Sequence, residues 1–472
     1  MDLLAIITPF LIGSAIIVIL FPKDSLKRIG FILTVCLGTG LGLGITSSLA
    51  FLWLAYYEQL TSGYFISEFG LALFLVFFSC YRFYLLKDTQ TDSILRSKTE
   101  YSTIRWLKIF FYLLLVVSVA YYVLKIFGDS PHGKWDAWAI WNFRARWLFR
   151  GEAQWTYAFS NYVLDSHPDY PLLLPVSVFR IWISLGKDIV AIPILIAGFY
   201  TFGSILLVLS SIAIFRGQTQ GYLAGIVMLM ATNFLKNGTY QYGDIPLAFY
   251  ILSTVILLNI KNCSPNASSR IMYLAGLTAS CATWTKNEGL LFLVLIILVH
   301  FISDSIMNDW RRSLKDIFCF LLGLIPILSN LIFFKLKFAP ANDMVNLDSL
   351  SSVWNKLLQF DRYQQILIAF AKKIFFFNDG LNLLLVVYLL ISGLDKTYFK
   401  QRRFITQTSL LVLLLGGYFF TYVIFSYNDL AALEWHLNTS LDRLIIQIWP
   451  FWVFLLFYCV KGPEKYKITV LY

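Results

Sequence analysis

Apolar residues along this chain are gathered into long runs, and short polar stretches separate them. Most runs are about 17 to 25 residues long, the length at which a helix crosses the hydrocarbon layer of a membrane. A membrane β-barrel would instead show short segments with alternating apolar positions. The pattern therefore predicts an all-α, polytopic membrane protein.

The runs predict about thirteen membrane-spanning helices. Their predicted ranges are residues 3–21, 31–57, 64–86, 106–127, 189–214, 221–237, 245–261, 271–286, 289–306, 316–336, 380–394, 404–427 and 444–460.

Two connections between predicted spans, residues 128–188 and 337–379, are longer than a simple turn requires, and such loops often carry function. In the first, residues 136–150 predict an amphipathic helix that lies in the plane of the membrane. Its apolar face holds Trp138, Trp141, Ala145 and Leu148, and its polar face holds Asn142, Arg146 and Arg150. Residues 172–185 are apolar but too short to span, and residues 361–378 predict an interfacial helix that contains Arg362, Lys372 and Lys373.

Composition and charge agree with a membrane protein. Hydrophobic residues make up 58% of the 472 residues and charged residues 14%, and the mean hydropathy is +0.69. The net charge of +11 comes from basic residues in short connections, with no continuous patch of the kind that binds nucleic acid. Because basic connections stay in the cytoplasm, their alternation predicts a multi-pass protein of the plasma (inner) membrane with its N-terminus outside.

Polar residues cluster at five places beside the ends of predicted spans. The sequences are WDAW at 135–138, HPDYP at 167–171, YGDIP at 242–246, KNEG at 286–289 and EWHLNTSLDR at 434–443. The predicted topology places all five on the extracytoplasmic side. Ionisable groups are costly to desolvate at a membrane boundary, so their collection on one side predicts a shared water-filled cavity.

The acidic residues of the first two sequences are the candidate catalytic residues. Asp136 fits a general base that takes a proton from an acceptor hydroxyl, or a simple helix cap. Asp169 fits a residue that orients the acceptor, or a turn aspartate that accepts from backbone amides. Asp169 with His167 or His436 is also the candidate set for a divalent metal cation, although no spacing resembles a metal cage.

The remaining three sequences, together with His167, supply the candidate substrate-binding residues, which are His167, Tyr242, Asp244, Lys286, Glu288, His436 and Arg443. Tyr242 and Asp244 fit the start of a helix, where capping is the simpler role for the acid. Lys286 fits a phosphate contact, or a structural pair with Glu288. Arg443 fits a site for an anionic leaving group, or an arginine that extends to the membrane surface.

The order of these motifs resembles the GT-C glycosyltransferases. It is most similar to the bacterial branch related to aminoarabinose transferases, protein O-mannosyltransferases and lipopolysaccharide-core galacturonosyltransferases. The resemblance rests on WDAW, HPDYPLLLP, YGDIPLAFY, TKNEG and TSLDRLIIQIWP, and covers roughly residues 104–460. It divides the chain into N-terminal transmembrane helices, 1–103, and a GT-C-like catalytic membrane domain, 104–472.

The resemblance implies an inverting transfer of a hexose or pentose from a polyprenyl-phosphate donor to a glycan, lipid or protein acceptor. Asp136 would be the base, Asp169 the second acidic residue, and Arg443 the group that holds the donor phosphate, with help from Lys286. Several relatives have a second acidic residue where this chain has Ala137, which weakens the inference of a metal. A lipid-linked sugar flippase or transporter and an O-antigen ligase or polymerase remain alternatives.

Overall fold

The computed structural model describes residues 2–21, 23–85, 102–262, 268–307, 310–341, 350–425 and 429–462. The described residues form helices and no β-strand. The α-helices are α1 (Asp2–Leu20), α2 (Lys23–Tyr57), α3 (Ser62–Leu85), α4 (Ser102–Asp129), α5 (Asn142–Arg150), α6 (Leu173–Leu185), α7 (Ala191–Arg216), α8 (Gln218–Met230), α9 (Thr232–Thr239), α10 (Asp244–Asn262), α11 (Ser268–Thr285), α12 (Glu288–Met307), α13 (Trp310–Lys337), α14 (Leu350–Leu357), α15 (Phe360–Phe375), α16 (Leu381–Ser392), α17 (Lys396–Phe399), α18 (Arg402–Ile424) and α19 (Leu430–Cys459).

Within these ranges, eight helices are long and apolar enough to cross a membrane, which indicates a membrane-embedded protein. They lie in α2, α3, α4, α7, α10, α13, α18 and α19. Four other apolar helices have between 10 and 17 residues, within α1, α6, α12 and α16. The all-α class is confirmed for the described residues, and the count of thirteen spans stays a prediction.

The continuous helix predicted at 221–237 is wrong, because the chain breaks at Ala231 between α8 and α9. The break is held from a distant part of the chain. Asn378 Oδ1 accepts hydrogen bonds from the backbone amides of Asn233 at 2.9 Å and Phe234 at 3.3 Å. The amides that a new helix leaves unpaired are thereby satisfied by a side chain 145 residues away.

Burial along the first long connection departs from its amphipathic pattern in both directions. Trp141, Ala145 and Leu148 are buried as expected, but Trp138 is 47% exposed and Asn142, predicted on the polar face, is only 2% exposed. Residues 172–185 form α6, which is packed within the protein from Leu173 to Trp182.

The second long connection contains α15, and its basic residues do not share one surface role. Arg362 was predicted to be interfacial but is fully buried, and its guanidinium donates to the carbonyls of Tyr422 at 3.1 Å and Phe425 at 3.2 Å. These carbonyls belong to the end of α18, where a cation compensates the unpaired acceptors of the helix. Lys373 pairs with Asp442 of α19 at 2.7 Å.

The N-terminal helices pack directly on the rest of the bundle. Arg180 of α6 places its guanidinium 2.7 and 2.9 Å from the two carboxylate oxygens of Glu68 in α3, and both side chains are buried. Thr8 of α1 donates to the same carboxylate at 2.8 Å. The predicted boundary between residues 103 and 104 lies inside α4, and the division into two domains stays a prediction.

Helix α10 carries charged pairs at both of its ends. At one end, Lys261 of α10 pairs with Asp316 of α13 at 2.7 Å, and Arg216 of α7 pairs with Asp395 at 3.2 Å. Asp244 starts α10 at the opposite end, about 26 Å away for 17 residues of helix. This distance approaches the thickness of a membrane's hydrocarbon core.

Candidate functional site

Asp136 stands directly before a π-helical turn, Ala137–Trp141, that leads into α5. The connection between α9 and α10 fixes this segment. Asn142 Nδ2 donates to Gln241 Oε1 at 2.8 Å, and Gln241 Nε2 donates to the carbonyl of Pro131 at 3.2 Å. The Asp136 side chain makes no capping hydrogen bond, so it does not serve the turn as a helix cap. π-Helical turns are rare and often occur at functional sites.

Arg443 is the partner of Asp136. Its Nη2 donates to Asp136 Oδ2, its Nε donates to Asp244 Oδ2 at 3.2 Å, and its guanidinium carbon lies 4.8 Å from the ring centroid of Tyr242. The sequence placed His436 and Arg443 in a segment before the last helix, but both lie within α19. Arg443 is therefore held by a helix on one side and by two carboxylates and an aromatic face on the other.

Asp244 contacts several of these side chains through both of its carboxylate oxygens, which is a larger role than the helix cap that its position predicts. Its Oδ1 accepts from Lys286 Nζ at 2.9 Å and from Gln447 Nε2 at 2.7 Å, while its Oδ2 accepts from Arg443. The residue is 1% exposed. A buried carboxylate is tolerated only when it is paired and hydrogen-bonded, and three donors provide this here.

Lys286 and Glu288 form the ion pair that the sequence predicts as one alternative. Lys286 also contacts Asp244. Lys286 Nζ lies 2.8 Å from Glu288 Oε1 and 2.9 Å from Asp244 Oδ1. Burial by itself would lower the pKa of Lys286, but the charges of Asp244 and Glu288 outweigh it, and the pKa is raised. Lys286 is therefore a fixed cation. Gly243 permits its approach, because a Cβ there would lie 3.0 Å from Lys286 Cγ and 2.8 Å from Trp141 Cζ2.

Asp169 lies in a neighbouring group and not in the Asp136 cluster itself. Its Oδ2 accepts from Asn287 Nδ2 at 2.8 Å and lies 3.2 Å from Lys335 Nζ of α13. Asn287 Oδ1 accepts from the same lysine at 2.9 Å. Because Asn287 stands between Lys286 and Glu288, one turn connects the two groups. Asp169 is 1% exposed, and these two side chains pair its Oδ2 atom.

Each of the two candidate histidines stacks on an aromatic ring. His167 stacks on Tyr170 with centroids 5.3 Å apart, and His436 stacks on Phe425 at 4.2 Å. Tyr170 also stacks on Trp141 at 5.6 Å, so Trp141 belongs to the site. Burial raises the pKa of Tyr170 well above its usual value, which keeps the phenol neutral.

The proposed metal set does not come together as three ligands. In the part of the chain that the structure describes, no group of three or more His, Cys, Asp or Glu side chains has an arrangement that could hold a metal ion. Asp169 instead contacts an amide and an ammonium group. A divalent cation stays an untested prediction.

Sequence reasoning missed four residues of the site: Arg144, Asn287, Lys335 and Gln447. Arg144 is fully buried and donates to the carbonyls of Ser166 at 2.6 Å and Tyr170 at 2.9 Å, which fixes the turn that carries His167 and Asp169. Gln447 donates to Asp244 and accepts from Tyr418 at 2.8 Å. A polar residue one turn after Arg443 in an apolar run was the available signal for Gln447.

The Asp136–Arg443 cluster, defined as Asp136, Asp244, Lys286, Glu288 and Arg443, thus contains three carboxylates and two cations from separate parts of the chain. Together the formal charges give a surplus of one negative charge. Such an arrangement can transfer protons at Asp136 and hold an anion at Arg443 or Lys286. No family model, no curated protein and no solved structure matches this chain.

Proposed function

We propose that this chain is an inverting membrane glycosyltransferase of the GT-C type. It moves a sugar from a polyprenyl-phosphate donor to an acceptor hydroxyl on a glycan, a lipid or a protein. The reaction takes place on the extracytoplasmic face of the plasma membrane. A lipid-linked donor suits a site beside the ends of membrane-spanning helices, because the lipid tail stays in the bilayer while the sugar enters water.

The observation that carries this proposal is the contact of Asp136 with Arg443. These residues are 307 positions apart, and their side chains form a salt bridge at the start of α10. A general base and a phosphate-binding cation must lie within one substrate's reach of each other, since the bond from the anomeric carbon to the phosphate breaks as the acceptor oxygen attacks.

The proposed chemical step assigns a role to each of these residues. Asp136 takes the proton of the acceptor hydroxyl while the hydroxyl oxygen forms a bond to the anomeric carbon. The bond between that carbon and the phosphate oxygen breaks, and its electron pair stays on the phosphate. Polyprenyl phosphate leaves with the additional negative charge, which the forked donors of Arg443 and the ammonium group of Lys286 stabilise.

Two buried polar atoms near the cluster support a ligand rich in hydroxyl groups. Glu288 Oε2 and Trp141 Nε1 have no hydrogen-bond partner among the described residues. Buried polar atoms are normally paired, so each such exception asks for an explanation. One is an acceptor and the other a donor, and a sugar hydroxyl can satisfy either.

Mass spectrometry of lipids and surface glycans tests the proposal. Cells that lack this protein are compared after complementation with the wild type, Asp136→Asn or Asp188→Asn. Asp188 is the matched control, because it lies in the same connection and also pairs with an arginine, Arg150, which is 64% exposed. We expect only the wild type and Asp188→Asn to restore the missing sugar and to remove the accumulated polyprenyl-phosphate sugar.

Full restoration by Asp136→Asn would reject this residue as the base. The lipid analysis also distinguishes the alternative functions, which are a flippase and a ligase or polymerase. A flippase defect leaves the lipid-linked sugar on the cytoplasmic side, which a membrane-impermeant oxidant of vicinal diols does not reach in intact cells. A ligase or polymerase defect accumulates a sugar on polyprenyl diphosphate, whose mass differs by one phosphate.

A further inference from the structure

Arg443 is engaged through two of its three guanidinium nitrogens. Its Nη2 is bonded to Asp136, its Nε to Asp244, and one face of its guanidinium covers Tyr242. A phosphate that receives forked donors from the Nε–Nη2 edge of this guanidinium must take the place of one of these carboxylates. The donor lipid and a carboxylate of the protein therefore compete for the same cation.

The two carboxylates differ in how firmly they are held. Asp244 also accepts from Lys286 and Gln447, and its side chain is 2% exposed. Asp136 has Arg443 as its only side-chain partner within the described ranges, and its side chain is 12% exposed. Asp136 is accordingly the group that an incoming anion displaces.

We propose that the Asp136 carboxylate occupies the phosphate position at Arg443 when no donor is bound, so that donor binding releases Asp136 to act as the base. This inference rests on the proposed function. It sets the order of the reaction, in which the lipid-linked phosphate binds before proton transfer from the acceptor. While Arg443 donates to Asp136 Oδ2, the lone pair that faces the guanidinium is not available to a hydroxyl proton, and release from Arg443 frees it.

Loss of the Asp136 charge should strengthen binding of the lipid phosphate, whereas loss of a residue that binds the phosphate would weaken it. Removing the charge of Asp136 takes away the competitor of the phosphate, and Asn offers Arg443 only a neutral acceptor. A hydrogen bond to a charged group is worth more than a neutral one, and the difference corresponds to about a tenfold change in affinity. The variant that loses transfer activity therefore binds the lipid phosphate more tightly.

Binding of undecaprenyl phosphate to the full chain in nanodiscs of zwitterionic lipid tests this inference. Native mass spectrometry or tryptophan fluorescence reports the affinity for the wild type, Asp136→Asn, Asp136→Ala and the control Asp188→Asn. Undecaprenol, which has the same tail without the phosphate, measures the contribution of the lipid chain. We expect both Asp136 variants to bind undecaprenyl phosphate about tenfold more tightly than the wild type, with Asp188→Asn and undecaprenol binding unchanged.

Arg443→Gln separates competition for Arg443 from general repulsion between the Asp136 charge and the phosphate. In this background, Asp136→Asn should give no further gain, because the contested cation is absent. A gain that persists without Arg443, or an unchanged affinity in Asp136→Asn, overturns the inference and leaves the transferase proposal standing. Binding of undecaprenyl phosphate no tighter than undecaprenol in all proteins overturns the phosphate site and with it the proposed donor.

Discussion

Asp244→Asn should damage the protein more than Asp136→Asn, although both changes replace one carboxylate of the same cluster. Asp244 accepts from Lys286, Gln447 and Arg443 through both oxygens. An asparagine amide keeps one acceptor oxygen and turns a donor toward one of these groups. Removing one partner of a buried ion pair costs about 3–5 kcal/mol, because the other charge stays buried.

Asp136 makes one charged hydrogen bond from a side chain that is 12% exposed. Because asparagine retains an acceptor for Arg443, we expect the free energy of unfolding of Asp136→Asn to lie no more than about 1.5–3 kcal/mol below that of the wild type. Asp188→Asn, whose arginine partner is well exposed, should cost at most about 1 kcal/mol.

Unfolding by SDS in mixed micelles, monitored by circular dichroism, measures the order of stability of the three purified variants. Transfer activity is measured on the same preparations, so that a loss of activity with retained stability is assigned to chemistry. The reasoning predicts that Asp244→Asn loses both stability and activity, while Asp136→Asn loses mainly activity. If Asp244→Asn unfolds at the same SDS fraction as Asp188→Asn, Asp244 does not hold the cluster together.

Two further predictions concern packing away from the site. Glu68→Gln should lower the free energy of unfolding by about 3–5 kcal/mol, because it leaves Arg180 buried without its counter-charge. In the same SDS titration, the apolar double variant Glu68→Leu with Arg180→Met should recover most of this loss. Gly323→Val should destabilise the crossing of α11 and α13 by at least about 1–3 kcal/mol, since a Cβ there would lie 2.1 Å from the carbonyl oxygen of Tyr273. The control Gly70→Val, where nothing lies within 4 Å of the added Cβ, should unfold close to the wild type, and equal effects at the two glycines would contradict this account.

The sequence determined the helical class and most helix positions, because apolar periodicity is set by neighbours along the chain. It failed where distant groups decide the local structure. The predicted span at 221–237 breaks because Asn378 binds the first amides of α9. Arg362 was expected at the membrane surface because no local pattern shows that the end of α18 lies over it.

For the candidate site, sequence identified the ionisable residues but not their partners. Asp136 and Asp244 both fitted helix caps, and only the tertiary structure places them against Arg443, at sequence separations of 307 and 199 residues. Gln447 and Lys335 looked like ordinary residues of apolar helices until their contacts with Asp244 and Asp169 were seen. Hydrophobicity is a property of each residue and its neighbours, whereas a salt bridge depends on the positions of two helices, which the packing of the whole bundle decides.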